Sequence, residues 1–429
     1  MIAKKRQQDK SLVGIKSMLA DVLNLDAKSR EKMVQRHILA VNEFIAQSRT
    51  ESASFSWNSC PWPVQFLPVI TKFYREWGKI NAVNPALSGF SGLMGMSKME
   101  VNNRLNEKFR PRNLFFEELP KSREILEKVF VDKYKAALNY PVIFKPNIGE
   151  RSSGVNFVRA DQIDEFLAEN QDLSGIIFEE FVATDAEFGL SWIRNPKTEI
   201  IEIISLVQKN TPRVIGDGQK KLRELITKKC AELFLDKSRE IKILAGFSDA
   251  ELDEKIVGEK NIVRTASVSY GTSFEKISLN SIQNKKLIEL VSKFLDNFAG
   301  IYAGRFDIKA NNVSELLEKK CSILEMNGVG GTPLEIYDNN LSVDEKYEVL
   351  FDYFSRIFVV ADANIADERG EKITKFDGLK ILSKNFFGQK KTQELSESVW
   401  KNLREVFQIS LKTRFKSSDL GKLLGKFRN

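Results

Sequence analysis

The chain contains a single histidine, His37. Ser-His-Asp chemistry and multi-histidine metal sites are therefore left almost without material. Cysteines number three, Cys60, Cys230 and Cys321, far apart and with no CxxC pair. That argues against a disulfide scaffold or a zinc ribbon and points to a reducing compartment. No apolar run approaches the length of a spanning helix, and the basic N-terminal stretch lacks the continuous apolar region of a secretory leader. A cytoplasmic protein without a membrane span is expected. Two phosphate-binding devices are also missing. No GxxxxGK[ST] loop is present, since Gly95-Met96-Ser97-Lys98 has the wrong order, and no GxGxxG follows a strand. Any chemistry must come from carboxylates, lysines, arginines, amides and backbone groups.

What is present suits a globular chain. It has 429 residues, 42% hydrophobic and 29% charged, enough for two or three domains. The net charge of +8 is concentrated at the ends, with residues 370–429 alone carrying +8 and residues 1–36 carrying +5. Leu395, Val399, Leu403, Phe407 and Leu411 recur on one face of a helix in the tail. A helical layer with its lysines and arginines in water is the favoured reading. The alternative is docking on a polyanion, although no nucleic-acid-binding motif accompanies the tail, so no specific nucleic acid is expected.

Residues 12–47 read as helix and 55–70 as a packed aromatic and proline-rich segment, followed by a Gly/Ser-rich loop at 84–98. From about residue 120, short β-rich runs alternate with amphipathic ones. PVIFKP, VNFVRA, SGIIFEEFV, FGLSWIRN, TEIIEIISLVQKN, IYAGRFDIKA and CSILEMNGV read as strands. The runs at 221–234, 284–299 and 343–360 read as helices. The pattern is α+β with mixed sheets.

Three clusters of residues carry chemistry. Lys145 sits in the strand PVIFKP and feeds the small-residue turn Asn147–Val155, whose backbone N–H groups can wrap anionic oxygens. Alone, this is an ordinary turn. Phe178-Glu179-Glu180-Phe181-Val182, with Glu187 beyond it, can offer backbone groups to an adenine edge and a carboxylate to ribose hydroxyls. The third cluster weighs most. Arg305, Asp307 and Lys309 alternate along GRFDIKA and so share a strand face, as do Glu325 and Asn327 in ILEMNG. If the two strands are antiparallel neighbours, Asp307, Glu325 and Asn327 converge as hard oxygen ligands suited to Mg²⁺. The competing reading is a solvated face with an Arg305–carboxylate salt bridge. The apolar neighbours Phe306, Ile308, Ile323 and Leu324 favour burial, and a buried pair of like charges needs a cation.

In this order the motifs resemble the ATP-grasp superfamily of carboxylate–amine ligases, and within it a D-alanine–D-alanine ligase-like group. The resemblance rests on Trp57–Pro68, Asn84-Pro85, Ser97-Lys98, KPNIGER, Ile215–Gly218, GRFDI, EMNGVGG and Glu335-Ile336-Tyr337-Asp338, roughly residues 55–345. It implies an ATP-grasp fold of two α+β subdomains clasping ATP, with helical N- and C-terminal extensions. The implied organisation is a basic helical segment at 1–52, a preceding segment at 53–115, a lid at 116–184, a larger subdomain with the metal site at 185–350 and a basic helical tail at 351–429.

The resemblance also implies roles. Lys98 and Lys145 would hold ATP phosphates from two sides, and Ser152, Ser153 and Gly154 would form a flap over them. Glu179, the backbone of Glu180 and Val182, and Glu187 would bind adenine and ribose. Asp307, Glu325 and Asn327 would ligate Mg²⁺ or Mn²⁺. Arg305 would stabilise developing charge, and Lys209 and Arg213 are candidates for contact with the γ-phosphate or substrate. Two departures stand out: Ser152 follows the flap arginine where the group has glycine, and Thr332 precedes Pro333 where the group has an acidic residue. The second means that substrate identity does not carry over. The expected reaction activates a carboxylate as an acyl phosphate and joins it to an amine, releasing ADP. Kinase-type phosphoryl transfer and a nucleotide-binding protein with a basic tail are the alternatives. The expected partners are small-molecule carboxylates and amines, and a homodimer is the base-rate assembly. Trp57, Trp62, Phe66 and Trp192 are candidate pocket aromatics.

Overall fold

The computed structural model describes residues 76–149, 154–184, 186–233, 235, 237–263, 271–338 and 340–374, together with Val69, Phe73 and Asp377. The helix expected at 12–47, nearly all of the aromatic segment at 55–70, the flap serines Ser152 and Ser153, and the amphipathic run from Leu395 lie outside the described residues. Two compact units are formed, one from the two ends of the chain, below Gly95 and above Asp338, and one running Gly95–Asp338.

In the first unit a long helix, Val343–Ala366, opens with a capping box in which Ser342 and Glu345 satisfy each other's backbone N–H groups. It packs against the 3₁₀ turn Trp77–Ala82, with Trp77 stacked on Phe354. The predicted Gly/Ser-rich loop contains a tight left-handed turn in which Gly89, Phe90 and Ser91 have φ of 69°, 58° and 59°. Two of these are not glycine, so the turn needs outside support. The buried Asn84 and Ser91 supply it through two bonds, both donated by Asn84: its N to Ser91 Oγ and its Nδ2 to the Ser91 carbonyl.

The second unit holds two main sheets. Strands β1 (Asn113–Glu118), β2 (Val142–Pro146), β3 (Asn156–Val158) and β4 (Ser174–Glu180) form one in the order β1-β4-β2-β3. The other contains β5 (Ala186–Arg194), β6 (Ile201–Asn210), β9 (Ser273–Lys276), β10 (Ala303–Ala310) and β11 (Ser322–Asn327), ordered β11-β10-β5-β6-β9. Strands β7 (Arg213–Lys221) and β8 (Lys255–Asn261) make a separate ribbon. Every strand pair among the described residues is antiparallel, which corrects the mixed sheets expected from sequence. Strands β1 and β2 do run the same way, but β4 inserts between them and makes each neighbouring pair antiparallel.

Period-two alternation gives each sheet a core face and a second face. In the first sheet Val142, Phe144, Ile176 and Phe178 join the core with Leu126, Phe130, Ile163 and Leu167 from the helices Arg123–Tyr134 and Ile163–Glu169. Lys145 and Glu179 therefore point the other way. In the second sheet Phe306 meets Trp192, Phe294 and Phe298, so that face is covered by the helix Ser281–Phe294 and the turn after it. Trp192 is fully buried there and does not line a pocket on the opposite face.

Candidate active site

The second face of the larger sheet is polar where its strands meet. Register places Asp307 directly opposite Glu325 and Arg305 opposite Asn327, as the antiparallel reading requires. Residues directly opposed on neighbouring strands share a face. On the other flank Asp307 faces Gly189, Arg305 faces Ser191 and Glu187 faces Lys209. Arg305 donates from Nε to Asp307 Oδ1 at 2.8 Å and from a terminal nitrogen to the Thr332 carbonyl at 3.0 Å. Lys209 Nζ lies 2.6 Å from Glu187 Oε1 and 3.1 Å from Asp307 Oδ2. Asn327 Nδ2 donates to Glu325 Oε1 at 3.2 Å. The Arg305–Asp307 salt bridge does form, but on a buried face rather than a solvated one.

The first sheet contributes the opposing side. Lys145, buried on β2, donates to Glu179 Oε1 at 2.7 Å and to the Leu324 carbonyl of β11 at 3.0 Å, so it links the two sheets directly. Lys98 opens a short helix, Lys98–Asn102, and donates to the Gly149 carbonyl. Asn147 explains this placement. Its Oδ1 accepts from Met99 N at 2.9 Å and Ser97 Oγ at 3.0 Å, and its carbonyl accepts from Lys98 N at 3.0 Å. The motifs Ser97-Lys98 and KPN, about fifty residues apart in sequence, thus form one local structure.

Four cations, Lys98, Lys145, Lys209 and Arg305, are set among four carboxylates, Glu179, Glu187, Asp307 and Glu325. Burial pushes the Asp307 carboxyl up, but Arg305 and Lys209 outweigh it and hold the group well below the usual carboxylate range. Burial pulls Lys209 down, and Asp307 and Glu187 more than compensate, leaving its ammonium held above the ordinary value. Glu179 goes the other way: burial raises it, Lys145 only partly offsets this, and Glu325 adds to the rise.

No group of three histidine, cysteine or carboxylate side chains that could hold a metal occurs among the described residues. The set predicted from sequence has two carboxylates and an amide. A hard divalent ion fits that donor chemistry, because a carboxylate has lone pairs beyond those used by Arg305 and Lys209, and Glu325 and Asn327 add oxygens on the same face.

The remaining predicted residues are placed variously. Gly154 has φ of +74°, and a Cβ there would come within 3.2 Å of the Pro146 ring, so the position suits glycine. The Glu180 carboxylate is held by Arg112 at 2.6 and 2.7 Å, and its N–H donates to the Arg112 carbonyl. Only its carbonyl is left for the adenine reading. Val182 follows β4 in an irregular stretch. Arg213 pairs with Glu259 on the separate ribbon, and both side chains are exposed. Sequence reasoning missed Asn147, Ser191 and Ser205, and it assigned no role to Glu335. Extending the two-residue alternation from Glu187 to Ser191, and from Lys209 back to Ser205, would have found both serines.

No family model matches the chain, and no curated protein does. Among solved structures it is similar to D-alanine–D-alanine ligase from Bacillus anthracis complexed with ATP, at 13% identity and a TM-score of 0.36, over 64% of this chain and 68% of that one. It is similar to carboxyaminoimidazole ribonucleotide synthase from Aspergillus clavatus complexed with ATP, at 11% identity and a TM-score of 0.32, over 56% of this chain and 45% of that one. A third likeness, to an ATP-grasp ligase complexed with a minimal precursor, has 12% identity and a TM-score of 0.31 and covers 60% of each chain.

Proposed function

We propose that the chain is an ATP- and divalent-metal-dependent ligase that activates a carboxylate as an acyl phosphate and joins it to an amine, releasing ADP and phosphate. The observation that carries this reading is the cross-strand pairing of Asp307 with Glu325, flanked by Asn327 and Arg305, together with Lys145, which reaches from the first sheet to β11.

An amine attacks a carboxylate poorly because oxide is a poor leaving group, whereas phosphate leaves well. The task of the protein is then to position reactants and place charge where charge develops. Lys98 and Lys145 would contact nucleotide phosphates, Glu187 the ribose, and the Glu180 carbonyl and Val182 the adenine edge. Asp307, Glu325 and Asn327 would hold Mg²⁺ or Mn²⁺, which supplies neutralisation of phosphate charge. Arg305, oriented by Asp307 and the Thr332 carbonyl, would face the oxygens of the reacting carboxyl carbon. The Asp307–Lys209–Glu187 chain keeps these side chains in fixed rotamers. None of these roles needs a covalent nucleophile, which fits a chain with one histidine.

The test is an ADP-release screen over carboxylates and amines with ATP and Mg²⁺, with the product identified by mass. Amide product with stoichiometric ADP is expected. Formation of AMP, or failure of the protein to bind nucleotide, would overturn the reading. A stable phosphorylated product without an amide would replace it with kinase-type transfer.

A further inference from the structure

A second polar group lies on the same sheet face, away from the nucleotide residues. Glu335, in the 3₁₀ turn Leu334–Tyr337, is 4% exposed. Its Oε2 accepts from Ser205 Oγ at 3.1 Å and pairs with Lys276 Nζ at 2.9 Å. The Lys276 side chain is 53% exposed, so the cation on this buried carboxylate is held by a long, half-solvated stem. Register then continues across the sheet. Ser205 is opposite Ser191, and Ser191 is opposite Arg305. Ser191 is fully buried, and its Oγ has no hydrogen-bond partner among the described residues. Buried hydroxyls are normally satisfied, so an unpartnered one between Glu335 and Arg305 marks a place for a ligand atom.

We propose that Glu335, Ser205 and Ser191 form the recognition site for a substrate bearing an ammonium group at the end remote from the reacting atoms, such as a diamine or diamino acid. Which end reacts rests on the ligase reading above. The chemistry selects the class. A buried carboxylate repels an anion and pairs best with a cation that is itself desolvated. Lys276 fills that role from half in solvent and gives up side-chain freedom to do so. An incoming ammonium can replace it. At about 4.8 Å between neighbouring strands, Ser205 lies about 10 Å across the sheet from Arg305, a span that suits a five-carbon chain.

The test is calorimetric titration of the full chain with 1,5-diaminopentane, with 1,5-pentanediol as the uncharged control. The diamine is expected to bind tighter than the diol. Glu335→Gln should lose about tenfold or more of the diamine affinity, the scale of one charge-assisted bond. Lys276→Ala, at a half-exposed position the fold can spare, should bind the diamine tighter than the native chain, because the competing ammonium is gone. A purely structural Lys276–Glu335 pair predicts the opposite, a Lys276→Ala variant that binds no better or worse. That result, or equal diamine affinity in Glu335→Gln and the native chain, overturns the proposal. Binding of a fluorescent ATP analogue in the same samples judges the ligase reading separately, since its loss would leave the diamine comparison intact.

Discussion

Asp307 holds two cations on its two oxygens. Its folded pKa is depressed, so the stability it contributes is full above the ordinary aspartate value of 3.8 and is lost as pH falls through that value toward the folded one. Asp307→Asn should therefore flatten the acid limb: urea midpoints at pH 7 and pH 3 should differ less in the variant than in the native chain. The same substitution should lower kcat by ~10²–10⁴-fold, the scale of a positioned electrostatic group, measured as ADP release. Lys145→Met keeps the apolar stem but removes the ammonium. A weaker affinity for an ATP analogue is expected, and an unchanged one would remove Lys145 from the phosphate site. Cys321 offers a simpler check. Burial pushes its thiol up to about 12, so at pH 8 very little is thiolate. Mass mapping after thiol labelling at pH 8 should show Cys321 modified far more slowly in the native chain than in urea.

At the scale of elements, the turn Leu334–Tyr337 is held to the sheet by the Glu335 bonds to Ser205 and Lys276 and by the close approach of Leu334 to Gly189. A Cβ on Gly189 would lie 2.4 Å from Leu334 Cδ1 and 3.2 Å from its Cγ, so an alanine there would push on the Leu334 side chain. Gly189→Ala should displace the turn, and with it Glu335, raising the KM for the amine more than that for ATP. Steady-state kinetics with each substrate varied in turn would check this. The strands that frame the site were legible because their apolar residues alternate. β10 and β11 show it most clearly, but their antiparallel pairing, a condition in the sequence reading, is supplied only by the fold. β1 was not legible: its FF pair and following EE pair break the alternation. Ribbon strand β7, with Gly216, Asp217 and Gly218 at its centre, reads as a turn. The link between Asn147 and the Lys98 helix depends on contacts across about fifty residues, which no local pattern encodes. Glu335 was visible as part of a motif, but its partners Ser205 and Lys276 come from other strands and only the tertiary fold unites them.

For the molecule as a whole, chelation gives the broadest test of the metal expectation. EDTA should abolish ADP release, and excess Mg²⁺ or Mn²⁺ should restore it without refolding; release that persists in EDTA would remove Asp307, Glu325 and Asn327 as metal ligands. Truncation after residue 377, which keeps the Ile373 bond to Gly78, tests the basic tail, and retained turnover with unchanged affinity for polyanions would assign it no part in catalysis or docking. The first unit is assembled from stretches of chain on either side of the second. Asn364 donates to the carbonyls of Ala82 and Val83, and Ile373 N to that of Gly78. During synthesis on a ribosome the early stretch must wait, with its aromatic side chains uncovered, until the whole of the second unit and the long helix have emerged. A nascent chain stalled at residue 338 should accordingly recruit hydrophobic-binding chaperones through its N-terminal part, and extension past residue 374 should release them.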